Sequence, residues 1–325
     1  MKKTISTILF LCGFVAGLFA EQVYKIAYIG NSAMPSANVA IYNGARDALK
    51  ELQSRYNKKI EIEFVSQSSA DNQIKKLGSS YIDGYKGTIL FPISDDKNFI
   101  SAVSSLTGKS YPVVLVGKDL VGSKRICYIG GDEKKFYEVL SEQLKILAGK
   151  DSLHLYIYGK PDSFIADSSA KVDAREKLYN SAKSTFNQTI LDTISNGKIS
   201  VELIELYSIY YMSNKISILR RDNYGEIFMS PELLGDMAPI ERDTDRRFAL
   251  CVGGAPHLAE YLKSGQLSAC VYHDFYGWGY FSARAIAEKI FESVVPMNRN
   301  RLIKPILATP ENVESFKADW QKWTK

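Results

Sequence analysis

Short apolar runs alternate with stretches of helical periodicity along most of the chain. Tyr24 to Ile29 reads as a strand ending at Gly30, and Asn38 to Leu52 as a helix with Ile41, Ala45, Ala48 and Leu52 on one face. Ile60 to Val65, Thr88 to Phe91, Val113 to Val116 and Ile126 to Ile129 read as further strands. Between them fall a helix over Asp71 to Ile82 and, beyond Pro92, one that carries Phe99, Val103 and Leu106. Asp95 or Asp96 can cap the latter, and Asp132 is the expected N-cap of a helix from Glu133 to Leu147.

The pattern restarts after Lys150. Leu153 to Tyr158 is a strand, and a long helix follows through Leu178, Ala182, Phe186, Ile190 and Ile194, closed by Asn196-Gly197. Ile199 to Leu206, Glu226 to Met229, Phe248 to Val252 and Leu267 to Tyr272 read as strands. Helix-like stretches cover Met212 to Arg221, Pro256 to Lys263 and Gly277 to Ile290. Strands alternating with helices mean parallel sheets covered on both faces, and two successive sets mean two α/β lobes.

Only the first twenty residues break this pattern. Lys2 and Lys3 precede an apolar run from Ile5 to Ala20, with polarity returning at Glu21-Gln22. Basic head, short apolar core and small residue form the order of a secretory leader. The run is shorter than the roughly 20 residues of a membrane span, and no later stretch is apolar enough to make one. An uncleaved anchor, or lipid attachment at Cys12, is the alternative. The remaining chain of about 305 residues suits two lobes of about 150 each. With 41 basic and 36 acidic residues overall, its charge does not point to a nucleic-acid partner.

Cys127, Cys251 and Cys270 lie in apolar stretches with no CxxC spacing, so buried thiols are expected. A Cys251–Cys270 bridge is the open alternative if their strands are neighbours. Catalytic chemistry finds little support. The histidines His154, His257 and His273 lack zinc-ligand spacing, and no nucleophile elbow, Walker loop or dinucleotide fingerprint occurs. A non-enzyme without metal or cofactor is the expectation.

Ligands of open parallel sheets bind at the carboxyl ends of the strands. That selects the turns at 30–38 (with Asn31 and Ser36), 92–96 (with Asp95), 117–120 (with Lys118), 159–169, 229–232, 253–257 and 272–278. The last holds a dense aromatic group: Tyr272, His273, Phe275, Tyr276 and Trp278. Aromatic faces stack on sugar C–H surfaces or on cations. For Trp278, packing in the core is an equal alternative, and for Asp95 helix capping is favoured over ligand contact.

The arrangement resembles the periplasmic binding proteins of the ribose-binding type, the type I periplasmic binding proteins. Lys25 to Asn31 resembles the family's opening strand and ligand loop, and Asn43-Gly44-Ala45 the start of its first helix interior. Gly87 to Ser94 is similar to its strand and proline turn, Tyr111 to Val114 to its IPV strand, and Ile129 to Asp132 to its first crossing between lobes. Arg175 with Leu178-Tyr179 resembles the R-x-x-G-F helix, and Lys263 to Val271 the segment before the second crossing. The resemblance implies two similar Rossmann-like lobes joined by a multi-strand hinge. Their limits would be 21–131 with 274–300 and 132–273 with 301–325, after a leader at 1–20.

It also implies a small polar ligand, sugar-like, held by hinge closure and delivered to the permease of an ABC importer. A periplasmic sensing subunit that presents its closed form to a histidine kinase or chemoreceptor is the rival reading. Arg175 fits an arginine that donates to sugar hydroxyls, and Lys118 stands where the family often has arginine. The pocket departs from the pattern elsewhere. Ser36 and Ala37 replace two stacking aromatics, Gly117 and Gly254-Ala255 stand at usual aspartate positions, and His273 replaces an amide. A standard pentose or hexose is therefore not carried over with the scaffold.

Overall fold

The computed structural model describes residues 22–149, 153–159, 199–205, 223–235 and 246–325. The expected leader with Cys12, Arg175, the helix through Leu178 to Ile194 and the stretch at 212–221 lie outside the described residues. The chain divides into two compact units, with boundaries between Gly130 and Gly131, between Phe275 and Tyr276, and between Arg301 and Leu302.

The first unit is built on β1 (Val23–Asn31), β2 (Lys59–Gln67), β3 (Gly87–Leu90), β4 (Val113–Val116), β5 (Cys127–Gly131) and β11 (Asn300–Ile303). They form one sheet in the order β11-β5-β4-β3-β1-β2, and the pairs from β5 to β2 are parallel. Each residue of β3 and β4 is buried, as expected of central parallel strands covered on both faces.

Helices α1 (Pro35–Tyr56), α2 (Ala70–Ile82) and α3 (Lys97–Gly108) connect these strands. Pro35 opens α1, and Asn57 closes it at φ 48 with its N–H donating to the Gln53 carbonyl. Ser69 caps α2 by accepting from Asn72 N–H. Between Asp95 and Asp96, the cap of α3 is Asp96, which accepts from Phe99 N–H at 2.9 Å. Leu77, Phe99, Val103 and Leu106 close the core over Ala27, Ile29 and Leu90.

Helix α7 (Phe275–Glu292) packs on α1 at a contact that excludes side chains. A Cβ on Gly44 would lie 2.0 Å from the Tyr276 carbonyl oxygen, and one on Gly279 1.8 Å from that of Ile41. Two glycines let the helix backbones touch, which accounts for Gly44 in the Asn43-Gly44-Ala45 fragment.

The second unit repeats the strand order with β6 (Leu153–Gly159), β7 (Ile199–Glu205), β8 (Tyr224–Phe228), β9 (Arg246–Val252), β10 (Ala269–Tyr272) and β12 (Ile306–Ala308), arranged β12-β10-β9-β8-β6-β7. One strand departs from the expected parallel sheet: β12 runs antiparallel to β10. Only Lys304-Pro305 separates it from β11, which belongs to the first sheet. Helix α4 (Glu133–Ala148), capped by Asp132, lays Phe136, Leu140 and Leu144 on one face of this sheet. The short helices α5 (Glu232–Gly235) and α6 (Leu258–Lys263) follow β8 and β9, and α8 (Val313–Trp323) ends the chain. No described helix is long and apolar enough to cross a membrane.

Candidate functional site

The carboxyl ends of β4, β3 and β1 lie side by side in the first unit. After β4 the chain turns sharply at Gly117, where φ is +70 and Lys118 N–H donates to the Val116 carbonyl at 2.7 Å. A bond from residue i+2 back to i across a positive φ is a γ-turn of the rare, strained kind. A Cβ on Gly117 would meet the ring of Phe91 at 2.5 Å and that of Trp278 at 3.0 Å. The two rings, edge to face with centroids 6.4 Å apart, thus form an apolar floor beneath the turn.

At the same turn, Lys118 Nζ lies 3.5 Å from Asp95 Oδ1, and both side chains are exposed to water. Asp95 is available for this because Asp96 carries the cap. Hydrogen bonds from Ser94 Oγ and Phe99 N–H hold the Asp96 carboxyl below its ordinary pKa. Arg125 stays occupied nearby in a two-pronged pair with Asp119 at 2.5 and 2.6 Å.

At the end of β1, Asn31 Oδ1 accepts from Ala33 N–H at 3.0 Å. The Asn31 backbone is gripped by a residue that the sequence reading passed over, Asn38 of α1. Asn38 Oδ1 accepts from Asn31 N–H and from Tyr28 Oη–H, while its amide nitrogen donates to the Asn31 carbonyl. Gly30 makes room for it, since a Cβ there would come within 2.5 Å of Asn38 Oδ1. Its signal is a position on the helix face that also carries Ile41, Ala45 and Leu52, where Asn38 is buried. Ser36 sits half-buried in the first turn of α1.

In the second unit, Gly253 has φ +108 after β9, and His257 Nε2 is 2.8 Å from the Pro231 carbonyl, which joins the turns after β8 and β9. His273 follows β10. Its ring lies against Phe136, with centroids 4.7 Å apart, and fills the space beside Gly131, where a Cβ would come within 2.4 Å of it. Burial pushes its pKa down to about 4. The ring is therefore neutral at pH 7, and its 3.6 Å approach to Glu133 is not an ion pair.

Two candidates have side chains engaged away from the strand-end turns. Tyr272 is 1% exposed and packs among Phe316, Trp320 and Trp323 of α8, so it is a core residue of the second unit. Tyr276 donates its hydroxyl to Asp47 at 2.9 Å. Asp47 lies about 18 Å along α1 from Pro35 at 1.5 Å per residue, well away from the turns. Trp278 is buried too, but beneath the Lys118 turn. Cys251 and Cys270 are register partners in β9 and β10 and remain buried free thiols. Among the described residues no group of three or more histidine, cysteine or acidic side chains could hold a metal ion.

No protein-family model and no curated protein matches the chain. Solved structures do. GanP, a glucose-galactose binding protein from Geobacillus stearothermophilus, is 17% identical over 90% of this chain and 99% of its own, with a TM-score of 0.61. A periplasmic ribose ABC transporter protein from Conexibacter woesei is 13% identical over 95% and 100%, with a TM-score of 0.64. The chain has the type I periplasmic binding protein fold. Another of its neighbours, the XylFII-LytSN complex, is 16% identical over 89% of this chain and 99% of that one, with a TM-score of 0.62. The type I fold accounts for the paired sheet orders, and at these identities the likeness is one of fold. The first two neighbours are named for binding or transport, neither as an enzyme.

Proposed function

We propose that the chain is an extracytoplasmic solute-binding protein, exported by the leader at 1–20, that captures a small sugar-like ligand and delivers it to an ABC importer. Its two lobes, 21–131 with 274–300 and 132–273 with 301–325, close on the ligand about a multi-strand hinge. The observation that carries this reading is the Asp95–Lys118 pair beside the Gly117 turn, which rests on Phe91 and Trp278, at the carboxyl end of a type I sheet. A carboxylate accepts from two sugar hydroxyls while an ammonium donates to others, so the pair suits a polyhydroxyl ligand. Asn31 and Ser36 add polar groups at the next strand end, and Arg175 and His273 complete the set from the second lobe. Only the closed form makes both sets of contacts, so ligand shifts the population toward it.

The test is a thermal-shift screen of monosaccharides, polyols, nucleosides and small osmolytes at millimolar concentration. A micromolar ligand present at 1,000 times its Kd stabilises by about 4 kcal/mol. A clear upward shift with at least one polyhydroxyl compound is expected, and no shift with any of them overturns the reading. The XylFII-LytSN complex favours a second reading, a sensing subunit that presents its ligand-bound form to a partner protein. Ligand-dependent uptake by cells separates the first role from ligand-dependent signalling without uptake.

A further inference from the structure

Strands β1 and β3 pair in register up to Ile29 and Leu90, and the ladder closes with Phe91 N–H donating to the Ile29 carbonyl at 2.9 Å. Beyond that rung the two strands part toward the turns that carry Asn31 and Asp95. The backbone groups just past it are buried and need partners. Three of them, the Gly30 and Phe91 carbonyls and the Ile93 N–H, find the same one, Gln73 of α2, which is fully buried.

Gln73 Nε2 donates to the Gly30 carbonyl at 2.9 Å and to the Phe91 carbonyl at 2.7 Å. Its Oε1 accepts from Ile93 N–H at 3.0 Å. Two carbonyls and one N–H admit a single orientation of the amide, because only nitrogen can face the carbonyls. No other side chain of this length meets that demand. Glutamate at neutral pH has no donor, methionine leaves three backbone groups unsatisfied, and asparagine is a methylene short.

Asn38 does the matching work from the opposite face of the sheet. Leu77 and Ile74 of α2 pack on Ala27 and Ile29, whereas Asn38 of α1 bonds Tyr28 on the other side. The tip of β1 is thus held between two buried amides, Gln73 on Gly30 and Asn38 on Asn31. Only Gln73 also reaches β3.

We propose that Gln73 is a positioning residue of the ligand site, setting the spacing between the Asn31 turn and the Asp95 turn. It acts as the next rung of the sheet, made by a side chain, where the strands must separate to leave space for a ligand. The ligand half of this statement rests on the binding function proposed above; the geometric half does not.

The experiment compares the whole mature protein with Gln73→Met and Gln73→Asn. Hydrogen–deuterium exchange is read in peptides covering 30–38 and 91–97, with 113–116 in β4 as the internal reference. Affinity is measured for whichever compound of the thermal-shift screen gives the largest shift with the parent protein. The expected result for Gln73→Met is exchange at least about tenfold faster in both turns, an unchanged β4 and an affinity about tenfold weaker. Gln73→Asn keeps the amide chemistry without the reach and should give the same pattern more mildly, which serves if the methionine variant does not fold. Parent-like exchange in the turns overturns the positioning role, as does acceleration that includes β4. Loosened turns with unchanged affinity overturn the link to the ligand. If no compound of the screen binds the parent, the proposed function fails, and the exchange data still decide whether Gln73 spaces the turns.

Discussion

Strands β3 and β8 hold the same place in their sheets and carry related sequences, Gly87-Thr88-Ile89 and Gly225-Glu226-Ile227. The middle residue is buried in both, yet its chemistry differs. In the first unit the Thr88 hydroxyl lies 2.8 Å from the Tyr111 hydroxyl, a neutral pair. In the second, Glu226 lies 3.0 Å from Arg246 and accepts from Tyr158 at 3.1 Å, with the ion pair 1% and 4% exposed. One backbone plan accepts either solution because each is satisfied.

The strand ends show the same split between shared backbone and divergent side chains. Ser94 accepts from Asp96 N–H and donates to its carboxylate, and Ser230 does the same for Glu232. Gly117 and Gly253 both take positive φ after the next strand. However, the residue after Gly117 is a lysine paired with Asp95, whereas Gly253 is followed by Gly254-Ala255. The lysine–carboxylate pair after Gly117 thus has no equivalent at Gly254-Ala255 after Gly253.

The sharpest way to break this comparison is to remove one partner from each buried pair. Arg246→Met strands a buried carboxylate and should cost about 3–5 kcal/mol, whereas Thr88→Val should cost about 1–3 kcal/mol. Urea denaturation checks the ranking, and equal costs would mean that the two solutions are energetically alike.

Next comes His273, which has no counterpart at the end of β5. Its folded pKa is about 4 against 6.5 unfolded, so its contribution is complete above pH 6.5 and is lost as pH falls toward 4. The full loss is of order 3 kcal/mol at about 1.36 kcal/mol per pKa unit. Denaturation midpoints measured from pH 7 to 4 should fall, and His273→Asn should flatten that part of the profile.

Asp96→Ala removes a cap bond and should cost about 1 kcal/mol, while Asp95→Ala should change stability by a few tenths. Equal effects would return the cap to an ambiguity. Smallest for stability is Lys118→Met, within about 0.5 kcal/mol because the Asp95 pair is exposed. Its effect should instead appear as an affinity about tenfold weaker in isothermal titration with the best monosaccharide from the screen, equivalent to about 1.4 kcal/mol.

Much of the fold was legible from local pattern. The strands, their alternation with helices, the Asp132 cap and the type I resemblance all lie in short stretches of chain. The edge strands β11 and β12 were not legible, because Asn300–Ile303 is mostly exposed and Ile306–Ala308 has three residues. Helix α8 left a signal that the sequence reading did not use, with Val313, Phe316, Trp320 and Trp323 at helical spacing. Of the site, the turns with Asn31, Asp95 and Lys118 were legible from the rule that ligands meet strand ends. The aromatic stretch was legible only as a group.

By itself, then, the sequence determined the period of each segment, its caps and its breaks, because these depend on neighbours within a few residues. It could not say which buried surface an aromatic joins. Tyr272 turns into the core against α8, Tyr276 is drawn to Asp47 on α1, and Trp278 becomes the floor under Gly117. Those destinations depend on partners tens to hundreds of residues away. The same holds for Gln73, a polar residue of ordinary appearance in a helix of mixed composition. Only the convergence of β1, β3 and α2 makes its amide the one group able to satisfy Gly30, Phe91 and Ile93 together.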